Sequence, residues 1–514
     1  MVTTGTTKGC AASKTESLCS ALCNKKFFIL LAALGSIALI KVFIIVYFQI
    51  DLHSEEAQYW VWSKNMQFSY YSKPPLIAYL NWLSTSIFGD TLLGIRINGI
   101  LIGFFVSLVS YFFAWELFKD INTAILASMA TCVFPFQVSI SAYFLTDTPL
   151  LLFCLCAMFF FWKALESRKR LWWILFGLSV GFGLLSKYAM FMLLVPMCLF
   201  AWRHHRDVFR TKYFYLSLLI GLVMFFPVIC WNINQGGVGA LHVVNLSGAN
   251  NQQHSGVAVV SNIFVFALGQ LAILLPFYQY RQLFRKIGGK RLTKEEEFLL
   301  LPAISIFLVF VVVSALRESE AYINWAMFAY MGIPLVFARW ISDEKKIKAG
   351  LRIVALMGFV WLLFAGLSSS GNKLLALGKY SPVRKVIGWS QLAEKVDALK
   401  ETIPAGKSYV FSTNYHITSE MWFYLKGQAP TYYLNLNSRM TQYDLWPGIE
   451  QFVNTDKIGL YVSREKISSQ VQDGFSALLK ADSCQIYYQG SFVDTYYIYL
   501  LQGQKGFRKQ HSSH

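Results

Sequence analysis

The chain has 514 residues, of which 55% are hydrophobic, 17% aromatic and only 14% charged, with a net charge of +18. A composition this apolar, with charge confined to short stretches, excludes an ordinary soluble protein and points to an integral membrane protein. The basic excess fits membrane topology and contact with anionic lipid, and no nucleic-acid surface is read from it.

Residues 1–26, rich in Thr, Ser, Gly and Lys, predict a disordered cytoplasmic tail. The first apolar run, Phe27 to Ile50, is interrupted once by Lys41. It is too long for a signal-peptide core and lacks a small-residue cleavage site, so a retained spanning helix is expected. Further spans are expected near 92–117, 122–140, 148–165, 171–187, 188–202, 213–232, 258–279, 297–315, 322–339 and 349–369. That makes eleven, and about 11 to 13 once the nearly continuous pair at 171–202 is considered. With the N-terminus inside, the basic clusters at Lys25-Lys26, Lys119, Arg168 to Arg170, Arg203 to Lys212, Arg281 to Lys294 and Lys345 to Arg352 all fall on the cytoplasmic side. The alternate loops at 137–147, 233–257 and 316–321 contain one basic residue, Arg317.

Eleven crossings put residues 371–514 on the outer face, where the composition changes. "KSYVFS", "TYYLNL", "IGLYVS" and "TYYIYLLQ" alternate like strands, whereas "WSQLAEKVDALKE" and "SSQVQDGFSALLKA" read as helices. A small soluble α/β domain is expected there. Cys484 is its only cysteine, so it holds no internal disulfide.

Ionisable groups at membrane depth or at its edge need a reason to be kept. In the outer loop 51–91, Asp51, Glu55 and Glu56 are followed by a dense aromatic stretch and by Lys73-Pro74-Pro75. The apolar spacing predicts interfacial helices with aromatics at headgroup level, and the prolines hold Lys73 in an extended turn suited to a lipid phosphate. A plainer reading is a snorkelling Lys and acidic residues that cap a helix. Asp147 in "FLTDTPLLLF", taken alone, reads as a helix cap before it reads as a catalytic group. Arg317, Glu318 and Glu320 crowd a very short loop, where Arg317 pairs with carboxylates or grips a phosphate. The Gly-rich segment 233–257 carries His242 and His254 and reads as a loop over a site.

"SEEAQYWVWSKN", "YYSKPPLIAYL", "FLTDTPLLLF", "RESEAYINWAMFAY" and "YHITSEMWFYLKGQAPTYYLNLNSRMTQYDLWPG" together resemble the polytopic GT-C glycosyltransferases of the aminoarabinose transferase and protein O-mannosyltransferase group. The resemblance covers about residues 45 to 450. It implies a membrane-embedded catalytic domain over 27–370 with a periplasmic α/β domain after it. The implied enzyme moves a sugar from a polyprenyl-phosphate carrier to a lipid acceptor, such as lipid A or another envelope glycolipid, at the outer face of a bacterial inner membrane. By matching position, Glu55 is the candidate general base with Glu56 beside it, and Asp147 orients the acceptor or shares that role. Lys73 matches the phosphate-binding lysine, and Arg317, Tyr71, Tyr143 and His242 are further candidate substrate contacts. Three positions depart from the pattern. Glu55 stands where the family commonly has Asp and is one methylene longer. Ser72 stands where relatives carry an acidic residue able to join a metal site, so no metal or other cofactor is expected, and Gln58 stands where they carry a phosphate-contacting Arg. Protein hydroxyls as acceptor, or a flippase of lipid-linked sugars that uses the same cations without a base, are the competing readings.

Overall fold

The computed structural model describes residues 24–247, 256–274, 292–317, 323–343, 346–369, 385–436 and 438–507. Residues 1–23 of the expected tail, His254, Glu318, Glu320 and the basic residues at 281–291 lie outside them, and the last two tail residues, Lys25 and Lys26, belong to the first helix.

The N-terminal part is helical. In chain order it comprises α1 (Lys25–Phe48), α2 (Ser54–Lys64), α3 (Leu76–Phe88), α4 (Leu92–Phe118), α5 (Ile121–Cys132), α6 (Pro135–Ala142), α7 (Asp147–Ser167), α8 (Arg170–Ser186) and α9 (Met190–His204). It continues with α10 (Lys212–Asn234), α11 (Val238–Ser247), α12 (Gly256–Leu274), α13 (Lys294–Leu316), α14 (Ile333–Asp343) and α15 (Ile347–Ser369). Among the described residues α1, α4, α7, α10, α12 and α13 are long and apolar enough to cross a membrane, and α5 with α6, bent by 54°, make a seventh span if taken together. The chain is therefore a polytopic membrane protein, with six or seven such spans among the described residues where eleven were expected over the whole chain. The expected spans at 171–187 and 188–202 are α8 and α9, of 17 and 15 residues. The one at 322–339 divides into a 3-10 segment, Ile323–Gly332, and α14. Close helix approach depends on small residues: a Cβ added at Gly177 of α8 would lie 2.5 Å from the Ser217 carbonyl of α10.

The C-terminal domain contains α16 (Trp389–Lys400), β1 (Ser408–Ser412), α17 (Tyr415–Tyr424), β2 (Thr431–Tyr433), β3 (Ile458–Ser463), α18 (Ser469–Asp473), β4 (Phe475–Tyr488) and β5 (Ser491–Gln504). Its five-stranded sheet has the order β2-β1-β3-β5-β4, with β1 parallel to β2 and β3, and β5 antiparallel to β3 and β4. One expected helix is corrected. "SSQVQDGFSALLKA" is helical only to Asp473 and then becomes the edge strand β4, whose Leu478 and Leu479 are exposed and so blur the alternation.

The two parts share packing. Trp60, Trp62 and Tyr70 are fully buried, where interfacial exposure was expected. Trp62 stacks on Tyr70 at 4.5 Å, and Trp60 meets Phe423 of α17 edge-on at 5.0 Å. Trp60 faces protein because the C-terminal domain covers it, Trp62 and Tyr70 pack on each other, and Trp82, on α3, remains exposed. Asp51 completes the join. Its Oδ2 accepts from the backbone N–H groups of Gly388 and Trp389 at 2.8 Å each, capping α16 from outside the domain.

Candidate active site

A cavity of about 410 Å³ lies where the α2 N-terminus, the Lys73 turn and α11 meet the C-terminal domain. Glu55, Lys73, Tyr71 and His242 line it, together with Gln58 and Ser72.

Helix α2 starts at His53, whose Nδ1 accepts from the Glu55 N–H at 3.3 Å while Glu56 Oε2 accepts from the His53 N–H at 2.9 Å. This capping box holds Glu56 inward. Glu56 Oε1 also accepts from the Phe144 N–H at 3.0 Å, and Arg96 donates to both oxygens, at 3.2 and 2.9 Å. Arg96 further donates to the carbonyls of Ile50 and Asp51 at 2.8 Å each. Glu56 is fully buried and absent from the cavity lining, so the structure places it apart from Glu55. Successive side chains on a helix diverge by roughly 100°, which sends Glu55 to the cavity and Glu56 into the join between α2, α4 and the segment before α7.

Glu55 is half-buried, and Tyr59 Oη donates to its Oε2 at 3.3 Å. Burial, then the negative charges of Glu55 and Asp147, hold the Tyr59 phenol well above its ordinary range, so it stays a neutral donor. The Lys73 turn is closed by the Tyr70 N–H on the Lys73 carbonyl at 3.0 Å, and Tyr70 Oη donates to the Trp62 carbonyl at 2.9 Å. Pro75 then starts α3. Burial and the neighbouring Lys187 charge lower the Lys73 ammonium to about 8, against the opposing pull of Glu55 and Asp147. It is still charged at neutral pH.

Asp147 opens α7 but makes no cap. Its oxygens accept from Lys187 Nζ at 2.8 and 3.0 Å, in a pair that is mostly buried. It stands behind the cavity wall within electrostatic reach of Lys73 and Tyr59. Lys187 was not singled out by sequence reasoning, although a lone cation at the break between two short apolar helices is itself a signal.

Among the remaining candidates, His242 is buried against the Tyr71 ring at 4.9 Å, and burial followed by the Arg439 charge lowers its imidazole to about 3. It is therefore a neutral hydrogen-bonding group. Tyr143 and Arg317 are absent from the lining. Tyr143 packs beside His53 at 5.9 Å and under the Arg96 guanidinium. Arg317 donates to the Leu246 carbonyl and lies 5.0 Å over Trp325, so it braces two residues of the cavity wall. The C-terminal domain supplies the opposite wall, with His416, Arg439, Lys385 and Arg464, none of which the sequence reading selected. Among the described residues no group of three or more His, Cys, Asp or Glu is placed to hold a metal ion.

Residues 72–231 match the family model described as dolichyl-phosphate-mannose-protein mannosyltransferase. The chain is 25% identical over 392 residues to the lipid A galacturonosyltransferase RgtD of Rhizobium johnstonii, covering 74% of this chain and 79% of that protein. It is 29% identical over 134 residues to the undecaprenyl phosphate-alpha-4-amino-4-deoxy-L-arabinose arabinosyl transferase of Erwinia tasmaniensis, covering 25% and 24%. Its fold is similar to that of ArnT from Cupriavidus metallidurans bound to undecaprenyl phosphate, with a TM-score of 0.64 at 13% identity over 93% of this chain and 98% of that one. The expectation of a GT-C glycosyltransferase similar to the aminoarabinose transferases is borne out.

Proposed function

We propose that the protein transfers a sugar from a polyprenyl-phosphate carrier to a lipid acceptor, lipid A or another envelope glycolipid, at the outer face of an inner membrane. In this reading the N-terminus is cytoplasmic and the C-terminal domain periplasmic. The observation that carries it is the cavity itself, in which Lys73 and Glu55 face one space beside the Asp147–Lys187 pair. The relatives' substrates support the donor and acceptor classes.

Each side chain then has a task. Lys73 holds the carrier phosphate and stabilises the charge that grows on it as the sugar leaves. Glu55 takes the proton of the acceptor hydroxyl as its oxygen bonds to the anomeric carbon and the bond from that carbon to the phosphate oxygen breaks. The products are the glycosylated acceptor and the carrier phosphate. Tyr59 fixes the Glu55 carboxylate through its 3.3 Å hydrogen bond. Asp147 is committed to Lys187, which leaves it an orienting role and gives the base to Glu55, despite the extra methylene relative to the family's usual Asp. Tyr71 and His242 contact the substrate from the same side, and no cofactor is assigned a part.

The test uses the purified full chain in nanodiscs with undecaprenyl-phosphate sugar and lipid A, comparing wild type with Glu55→Ala, Asp147→Ala and Lys73→Ala. Transfer is expected in wild type, including in the presence of a chelator, and lost in the Glu55 and Lys73 variants. Transfer that survives loss of both Glu55 and Asp147 overturns the catalytic assignment, and carrier movement across vesicles without transfer favours a flippase.

A further inference from the structure

The cavity holds more positive charge than one carrier phosphate needs. Lys73 enters from the juxtamembrane turn, while Arg439, Lys385 and Arg464 enter from the C-terminal domain, and among the described residues Glu55 is the only carboxylate in the lining.

The three cations of the domain are not equivalent. Arg464 is engaged: its Nε donates to Tyr496 Oη at 2.9 Å and lies 3.4 Å from Asp494, with the guanidinium over the rings of Trp389 and Tyr496. Arg439 and Lys385 are exposed toward the cavity and have no carboxylate within ion-pair distance among the described residues.

The segment that carries Arg439 is nevertheless fixed. Just after it, Thr441 forms a capping box with Asp444, its N–H and Oγ1 reaching Oδ2 at 2.7 and 3.0 Å. Gln442 accepts the buried Tyr71 N–H at 2.7 Å. Before it, the Ser438 N–H donates to Asn435 Oδ1 at 2.8 Å. The Arg439 charge is felt at Lys73, His242 and His416, three groups on different walls, and that of Lys385 is also felt at His416. An arginine held over a shared space with no carboxylate beside it is suited to a planar or tetrahedral anion.

We propose that Arg439, assisted by Lys385, forms a second anion site in the cavity, separate from Lys73, that takes a carboxylate or phosphate carried by the substrates in addition to the carrier phosphate. The proposal rests on the donor-site reading of the cavity. Two sources offer this chemistry: the carboxylate of a uronic acid donor sugar, and a phosphate on the acceptor lipid. Among the described residues the same charge balance disfavours a donor sugar bearing an amine, because Glu55 is their only carboxylate in the lining and is needed as base.

Binding to the full chain in nanodiscs tests this without requiring turnover. Wild type, Arg439→Gln, Arg439→Lys and Lys73→Gln are titrated with undecaprenyl phosphate, with undecaprenyl-phosphate galacturonate against undecaprenyl-phosphate galactose, and with lipid A against dephosphorylated lipid A. Arg439→Gln is expected to weaken the charged member of one pair about tenfold, and to leave its neutral counterpart and undecaprenyl phosphate within about twofold. Arg439→Lys recovers part of the loss, and the exposed site leaves the melting temperature unchanged. An effect in the donor pair identifies the uronate, and one in the acceptor pair identifies the acceptor phosphate. The proposal is overturned if charged and neutral members respond alike, or if Arg439→Gln weakens undecaprenyl phosphate as strongly as Lys73→Gln does. A wild type that binds no undecaprenyl phosphate overturns the proposed function itself.

Discussion

The backbone N–H of Tyr71 donates to Oε1 of Gln442 at 2.7 Å, across 371 residues of chain, and so ties the Lys73 turn to the C-terminal domain. Both groups are buried. Gln442→Leu leaves this N–H without a partner, at a cost of ~1–3 kcal/mol, and loosens the turn that carries Lys73. The expected result is a lower melting temperature and a several-fold weaker affinity for undecaprenyl phosphate. Leu is close to Gln in volume, so the loss reports the hydrogen bond more than a cavity. Unchanged melting in Gln442→Leu would show that the two parts are held elsewhere.

Glu420 makes a different prediction. It is fully buried on α17, both its oxygens lack a hydrogen-bond partner, and burial, then the Asp51 and Glu56 charges, push its carboxyl well above the ordinary range. A carboxyl whose proton affinity rises on folding contributes stability that is fully present below its unfolded value and is lost as pH rises through the folded one. Melting temperature is therefore expected to fall toward alkaline pH in wild type. Glu420→Met, which removes the unpaired acid, should flatten that slope and raise stability most at high pH. Equal slopes in the two proteins would exclude Glu420 as the titrating group.

The two adjacent glutamates should fail in different ways. Glu55→Gln keeps the Tyr59 contact and the fold, and is expected to lower kcat by about 10²- to 10⁴-fold with carrier affinity unchanged. Glu56→Ala strands the buried Arg96 guanidinium, at a cost of ~3–5 kcal/mol, and should appear as poor folding yield and low melting temperature. A stable Glu56→Ala protein that had lost only turnover would move the chemistry to Glu56.

This contrast marks what the sequence could and could not disclose. Long apolar runs made the spanning helices legible, alternation disclosed β1, β2, β3 and β5, and the paired prolines singled out Lys73. Glu55 and Glu56 look alike in one dimension, because only the helix phase and the distant Arg96 tell them apart. The aromatics of α2 read as a membrane seat because nothing local announces that Phe423 covers Trp60. Arg439 and Lys385 were missed for the same reason: each sits in ordinary turn sequence, and its charge gains meaning only when the domain folds back on a turn more than three hundred residues earlier.

Lys73 gives the most direct pH test. Its ammonium is lowered to about 8, chiefly by burial and then by Lys187. A lysine holds an anion only while protonated, so affinity for undecaprenyl phosphate should be constant well below pH 8 and fall as pH rises through about 8. The bound phosphate itself favours the charged form and shifts the midpoint upward in the complex. Lys73→Arg removes the transition, since a guanidinium stays charged throughout this range. Titration of affinity from pH 6 to 10 in both proteins separates the two cases. A decline that persists in Lys73→Arg would assign it to another group and remove Lys73 as the phosphate grip.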